Sequence, residues 1–300
     1  MSEVFEALLK AQRDADARRQ EGGTSSPSSA VDKAPAGGNG RVATTRQPPR
    51  PPRRSFRWRV WARNGIKRNG HGYEIPWLIA PDRGTVVAEQ FRVLRTRIET
   101  VGPSALMLTS ALDQEGKTLC AVNLSIALAM GVGGGAILVD ADLRRPSAGA
   151  LFAGRDQPGL LDCLTGDARW QDCLVATSYP GLKVLPAGRP TSVAADLLAS
   201  ERMQSVVTEL RAEYPQHRIL FDTPPVLLTA DPIALAPLMD HIVLVVRAGV
   251  TPRRAVSKAI EALGAEKFLG VILNDATDHL SDHYYYGGRY AYGDPPPAHD

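Results

Sequence analysis

Six short apolar runs, ALMLTS, AILVD, LKVLPAG, RILFD, HIVLVV and FLGVILN, recur between Ala105 and Asn274, with longer stretches of helical periodicity between them. Strands that are apolar at successive positions, not alternate ones, are buried on both faces. That is the condition of a parallel sheet flanked by helices. The expected fold class is therefore α/β, a mostly parallel sheet with helices on both faces. In such sheets ligands bind at the carboxyl ends of the strands, so residues at those ends are the first to examine. One stretch, Ala121 to Val139, is uncharged and close to the roughly 20 residues a membrane-spanning helix needs. Asn123 and Ser125 interrupt it, and Gly131, Gly133, Gly134 and Gly135 break it, so it reads as helix, turn and buried strand. No transmembrane helix is expected.

The first run leads into TSALDQEGKTLCAVNLSIALA, Thr109 to Ala129. ALMLTS predicts a strand, Ala111 to Gly116 a turn, and Lys117 to Met130 a helix with Leu119, Val122, Ile126 and Met130 on its inner side. This is the strand, turn and helix order of a phosphate loop, which makes the α/β fold P-loop NTPase-like. In such a loop the backbone N–H groups and the helix N-terminus face the phosphates, Lys117 adds a point charge, and the Thr118 hydroxyl is placed to ligate Mg²⁺. The expected nucleotide-binding residues are Gln114, Glu115, Gly116, Lys117, Thr118 and Leu119. Ala111 stands where the general motif has its first glycine. Asp113 and Gln114 occupy positions where flexible or phosphate-friendly residues are usual, and an Asp113 side chain would repel phosphate unless it points to solvent.

Two further strands end in carboxylates. AILVDADLRRP has Asp140 at a strand end with Asp142 just beyond, and RILFDTPP ends its strand in Asp222. A single strand-terminal Asp is often only a cap for the following helix. Three beside a Gly-Lys-Thr helix can hold Mg²⁺ or its waters, and one can accept a proton from an attacking hydroxyl. Thr118, Asp140 and Asp222 are the expected metal ligands, and Lys117, Asp140, Asp142 and Asp222 the expected catalytic set. Because Lys117 points at ligand, Lys117→Met is expected to remove turnover and leave the fold intact.

The net charge of +3 conceals an asymmetry. Lys33 to Tyr73 holds eleven Lys or Arg and no acid, leaving 24 basic residues against 32 acidic ones elsewhere, a net of −8. With Phe56, Trp58 and Trp61 interleaved, this arm suits an anionic membrane surface. A solvated linker is the plainer reading, and sequence-blind attraction to DNA the third. No specific nucleic-acid partner is expected. Residues 1–20 read as a short amphipathic helix carrying Val4, Phe5, Leu8 and Leu9, 21–80 as a disordered basic linker, 81–276 as the folded domain, and 277–300 as a flexible tyrosine-rich tail. The odd cysteine count, Cys120, Cys163 and Cys173, without metal-type spacing, points to buried thiols in a reducing cytosol. The N-terminus lacks the apolar core of a secretory signal.

Together SALDQEGKT, ILVDADLRRP and ILFDTPP, with EQFRVLRTRI, LPAGRPTSVAADLLASERM, VVRAGVTPRRAV and the tyrosine tail, resemble the bacterial tyrosine kinases of capsule and exopolysaccharide clusters, the CpsD/CapB type. The resemblance runs from about Val87 to the C-terminus. It implies an ATP- and Mg²⁺-dependent protein-tyrosine autokinase that regulates polysaccharide chain length and export. Lys117 and Thr118 would bind phosphates and Mg²⁺, Asp140 and Asp142 would position metal and activate the tyrosine hydroxyl, and Asp222 would support the metal. Asn274, placed after the last strand, matches a residue near the base in related proteins. The phosphoacceptors would be Tyr284, Tyr285, Tyr286, Tyr290 and Tyr292. Glu89, Arg92 and Arg95 match an E-x-x-R-x-x-R helix that joins subunits into a ring. A membrane-embedded chain-length partner would activate the kinase, placing it in the cytoplasm at the inner face of the plasma membrane. Two alternatives share the fold: a positioning ATPase similar to ParA and MinD, whose early loop lysine is here Leu112, and a non-catalytic adaptor.

Overall fold

The computed structural model describes residues 67–69, 72–74, 86–102, 104–154 and 157–276. The expected N-terminal helix, most of the basic arm and the whole tyrosine tail lie outside the described residues. Two short strands fall inside the arm. Lys67–Asn69 (β1) and Gly72–Glu74 (β2) pair antiparallel, Lys67 opposite Glu74, within a segment expected to lack structure.

The domain proper begins with helix α1, Val86–Val101. Strand β3, Ala105–Ser110, leads through the loop to α2, Lys117–Ala129, and then β4, Gly135–Asp140. Short helices α3, Leu160–Thr165, and α4, Trp170–Cys173, precede β5, Val175–Ala176, and β6, Leu182–Leu185. Helices α5, Ala194–Leu198, and α6, Glu201–Glu213, lead to β7, His217–Asp222. Last come α7, Asp231–Leu235, β8, His241–Arg247, α8, Arg253–Leu263, and β9, Phe268–Asn274.

The strands form a seven-stranded sheet in the order β5-β6-β4-β7-β3-β8-β9, parallel throughout except for β5 against β6. Every residue of β3 and β4 is buried, as the apolar runs require. Met107, Ile137, Ile219, Phe221 and Leu244 pack on one face with Trp170, Met203 and Leu210. Their strand neighbours Leu106, Leu108, Leu138, Leu220 and Val243 pack on the other with Val122, Ile126 and Ile98. Each such side chain taken out of water stabilises the fold by about 1.5–3 kcal/mol.

Helix α2 differs from the amphipathic helix expected. Thr118 and every residue from Cys120 to Ala129 are buried, while Leu119 is only partly so. The reason is α1, which covers the outer side of α2 with Ala88, Phe91, Leu94 and Ile98; a helix apolar all round is one enclosed on all sides. No helix among the described residues is long and apolar enough to cross a membrane.

Strand order positions the site. Chain order brings β4 soon after β3, yet β7 lies between them in the sheet. The ends of β3, β4 and β7 therefore converge, and the parallel register sets Asp140 directly beside Asp222.

Candidate nucleotide-phosphate site

After β3 the chain turns through Ala111 to Gly116 before α2 begins at Lys117. Two residues of this turn have left-handed backbones, Gln114 at φ 64° and Gly116 at φ 88°. At Gly116 glycine is required twice over, because the backbone is left-handed and a Cβ there would collide with the Asn274 amide. The first N–H of α2 with a helical acceptor is that of Cys120, which donates to Gly116 O at 3.0 Å. The amides of Lys117, Thr118 and Leu119 consequently have no partner within the helix and carry its positive end.

The loop is held from behind. Glu115 is 3% exposed; its carboxylate accepts the Leu112 N–H at 2.6 Å and the Thr251 hydroxyl. Its side chain thus braces the loop, and only its backbone is left to face a ligand. Asn274 is the last residue of β9, not a residue beyond it, and its Nδ2 donates to Glu115 O at 2.9 Å. Leu112, where the positioning ATPases carry lysine, packs against the core. Asp113 is exposed, as a phosphate loop needs; its Oδ1 accepts the Gln114 N–H at 2.9 Å and its Oδ2 stands 3.5 Å from Arg145 Nη1.

Beneath the loop the sequence-predicted carboxylates meet one lysine. Lys117 Nζ lies 3.1 Å from Asp142 Oδ2 and 3.8 Å from Asp222 Oδ1, and donates to the Thr118 hydroxyl at 3.3 Å. Asp140 and Asp222 are fully buried and Asp142 is 5% exposed. Asp140 Oδ2 accepts the N–H groups of Ser147 at 3.0 Å and Gly149 at 2.9 Å, while its Oδ1 has no partner. Neither Asp222 oxygen has a hydrogen bond of good geometry; the Thr118 hydroxyl is close enough only to ease its charge slightly.

Burial pushes the Asp140 carboxyl up to about 7, with the Asp222 charge adding to the shift. Burial also raises Asp222, against the opposing pull of Lys117. Lys117 is itself buried, which by desolvation alone would lower its pKa; Asp222 and Asp142 outweigh that and hold it above the ordinary lysine value. The site is thus short of positive charge.

These residues fit a divalent, oxygen-preferring cation. Three buried carboxylate oxygens accept no hydrogen bond, and the Thr118 hydroxyl is close to Asp222. Among the described residues no three carboxylate, imidazole or thiol groups form a closed cage. That agrees with Mg²⁺, which keeps several waters and takes one or two carboxylates together with substrate phosphates.

Several residues here carry no motif in the sequence. The Ser147 hydroxyl lies 3.3 Å from that of Thr118. Arg144 makes a two-pronged pair with the buried Asp231, Nε to Oδ2 at 2.7 Å and Nη2 to Oδ1 at 2.9 Å, tying the loop after β4 to α7. Only the doubled arginine in DADLRRP hinted at this. The helix triad divides: Arg92 pairs with Glu89 at 2.7 Å on the exposed face of α1, whereas Arg95 turns inward and donates to Ala127 O at 3.2 Å. Cys120, Cys163 and Cys173 are all buried and free.

No family model matches the chain. It is 35% identical over 206 residues to the tyrosine-protein kinase YwqD of Bacillus subtilis, covering 67% of this chain and 85% of that protein. It is 33% identical over 174 residues to the succinoglycan biosynthesis transport protein ExoP of Rhizobium meliloti, covering 56% of this chain and 22% of that one. Among solved structures, the kinase domain of the Escherichia coli tyrosine kinase ETK superposes with a TM-score of 0.63 at 25% identity, over 69% of this chain and 82% of that one. With YwqD matched at that identity over most of its length, this chain belongs to the bacterial tyrosine-protein kinase family.

Proposed function

We propose that the chain is an ATP- and Mg²⁺-dependent protein-tyrosine autokinase, that its own C-terminal tyrosines, Tyr284, Tyr285, Tyr286, Tyr290 and Tyr292, are the acceptors, and that it serves polysaccharide assembly. The observation that carries this reading is the pair of buried carboxylates, Asp140 and Asp222, set side by side, with three oxygens that accept no hydrogen bond, beside the lysine of a phosphate loop. Three buried carboxylates against one lysine leave negative charge in excess, which is costly to bury, and a cation with its nucleotide offsets that cost. ExoP's role in succinoglycan biosynthesis supports the polysaccharide context.

In this mechanism the loop amides and Lys117 hold the β- and γ-phosphates and meet the charge that develops during transfer. Thr118, Asp140 and Asp222 would hold Mg²⁺, which would supply positive charge to offset that of the phosphates. Asp142, the least buried of the three carboxylates, accepts the proton of the tyrosine hydroxyl, with Lys117 at 3.1 Å fixing its orientation. Asn274 and Glu115 keep the loop in register from behind. Glu89 and Arg92, exposed on α1, join copies of the chain into a ring. A membrane-embedded chain-length protein is the activator, and the basic arm holds the enzyme peripherally at the inner, anionic face of the plasma membrane.

Incubation of the purified chain with labelled ATP, alone and with an activator peptide, separates the readings. Phosphotyrosine supports the kinase. Release of free phosphate alone identifies an ATPase, and neither product in either condition identifies an adaptor.

A further inference from the structure

The phosphate loop carries its own negative charge at Asp113, on the lip of the site. Across the opening, the loop after β4 carries Arg145, whose backbone N–H donates to Asp142 Oδ1 at 3.0 Å. The two side chains meet at 3.5 Å. This pair joins the phosphate loop to the carboxylate loop, and both members are solvent-exposed, 49% for Asp113 and 83% for Arg145. Asp113 therefore contributes nothing to the core, and its partner is chosen by charge. Its other oxygen accepts the Gln114 N–H, one of the backbone donors that a phosphate loop directs towards its ligand.

We propose that Arg145 is a positioning residue for nucleotide binding: it holds and neutralises the Asp113 carboxylate, so that a loop bearing an acid at its lip can still accept a polyphosphate. The inference rests on the nucleotide-site reading above. Asp113 near the phosphates repels them, more strongly for a triphosphate than for a diphosphate, because the ligand charge is larger. Arg145 cancels that field at close range. With Arg145 gone, Asp113 acts alone, and since the groups are exposed the effect is screened by salt.

The test is a mutant cycle of wild type, Asp113→Asn, Arg145→Ala and the double variant, with dissociation constants for Mg-ATP and Mg-ADP measured by calorimetry at low and high salt. Arg145→Ala is expected to weaken Mg-ATP by about two- to fivefold at low salt, the scale of an exposed charge interaction, and Mg-ADP by less. Restoring near wild-type affinity by adding Asp113→Asn, and shrinking the defect at high salt, would support the proposal. Two results would overturn it. In one, Arg145→Ala binds as wild type does. In the other, the defect persists in the Asp113→Asn background, which would place Arg145 on the phosphate itself. A wild-type chain that binds neither nucleotide would instead sink the nucleotide-site reading on which both rest.

Discussion

Replacing Lys117 with methionine removes the cation that lies within 4 Å of two of the three buried carboxylates, Asp142 and Asp222. From the sequence alone, where the lysine points at ligand, the fold is expected to stay intact. In the structure its side chain is 12% exposed and paired with Asp142, 7% exposed, and Asp222, fully buried. Breaking a buried pair by deleting one partner costs about 3–5 kcal/mol, since the remaining charges stay buried without compensation. For a domain of this size that corresponds to a melting temperature lower by about 6–20 °C. The cost has a definite pH dependence. Burial already raises Asp140 and Asp222, and loss of the lysine raises Asp222 further, so the folded variant takes up protons as pH falls and regains stability. Thermal melts of wild type and variant without nucleotide, at pH 5.5 and pH 8.5, should show the larger gap at the higher pH. Phosphotyrosine blots should show the variant's activity reduced by about two to three orders of magnitude, the loss typical of removing one donor to developing charge. A variant melting within 2 °C of wild type at pH 8.5 would refute the electrostatic account, and full phosphotyrosine signal would refute the role of Lys117 in transfer.

Asp140 gives a second pH prediction. Its carboxyl rises from 3.8 to about 7 on folding, so its contribution is fully present below 3.8 and is lost as pH rises through about 7; the wild type without Mg²⁺ should lose on the order of 4 kcal/mol across that window. Denaturant titration should show the slope, and Asp140→Asn should flatten it. Gly116→Ala should destabilise by more than about 1–2 kcal/mol, the cost of a left-handed backbone alone, because the added methyl also strikes Asn274; a chemical denaturation midpoint unchanged from wild type would contradict this. Asn274→Ala should cost about 1 kcal/mol through the lost bond to Glu115 O, and should weaken nucleotide binding measured by calorimetry. Within α1, Arg95→Ala should lower the melting temperature by losing its bond to Ala127 O, whereas Arg92→Ala should leave it nearly unchanged and reduce the assembly mass read by light scattering.

What could be read without coordinates was whatever is encoded locally. Buried strands were visible as unbroken apolar runs, the phosphate loop as a strand, a turn and a helix around Gly116-Lys117, and the carboxylates as residues ending β4 and β7. Each of these depends on side chains within about a dozen residues of one another, where period and turn chemistry suffice. The basic composition of the arm says nothing of the short β1–β2 pairing within it. The tertiary structure decided what meets what. Asp140 and Asp222 become neighbours only because β7 enters the sheet between β3 and β4 in one particular register. Asn274 reaches the loop across 159 residues and Thr251 reaches Glu115 across 136, so neither brace leaves a trace near the motif it supports. The same holds for Lys117, whose place in the motif says nothing of its burial, and for Arg95, which lies on the helical face it shares with Arg92 yet turns inward to the end of α2. Strand order and register are settled by packing summed over the whole core, and a window of sequence does not contain that sum.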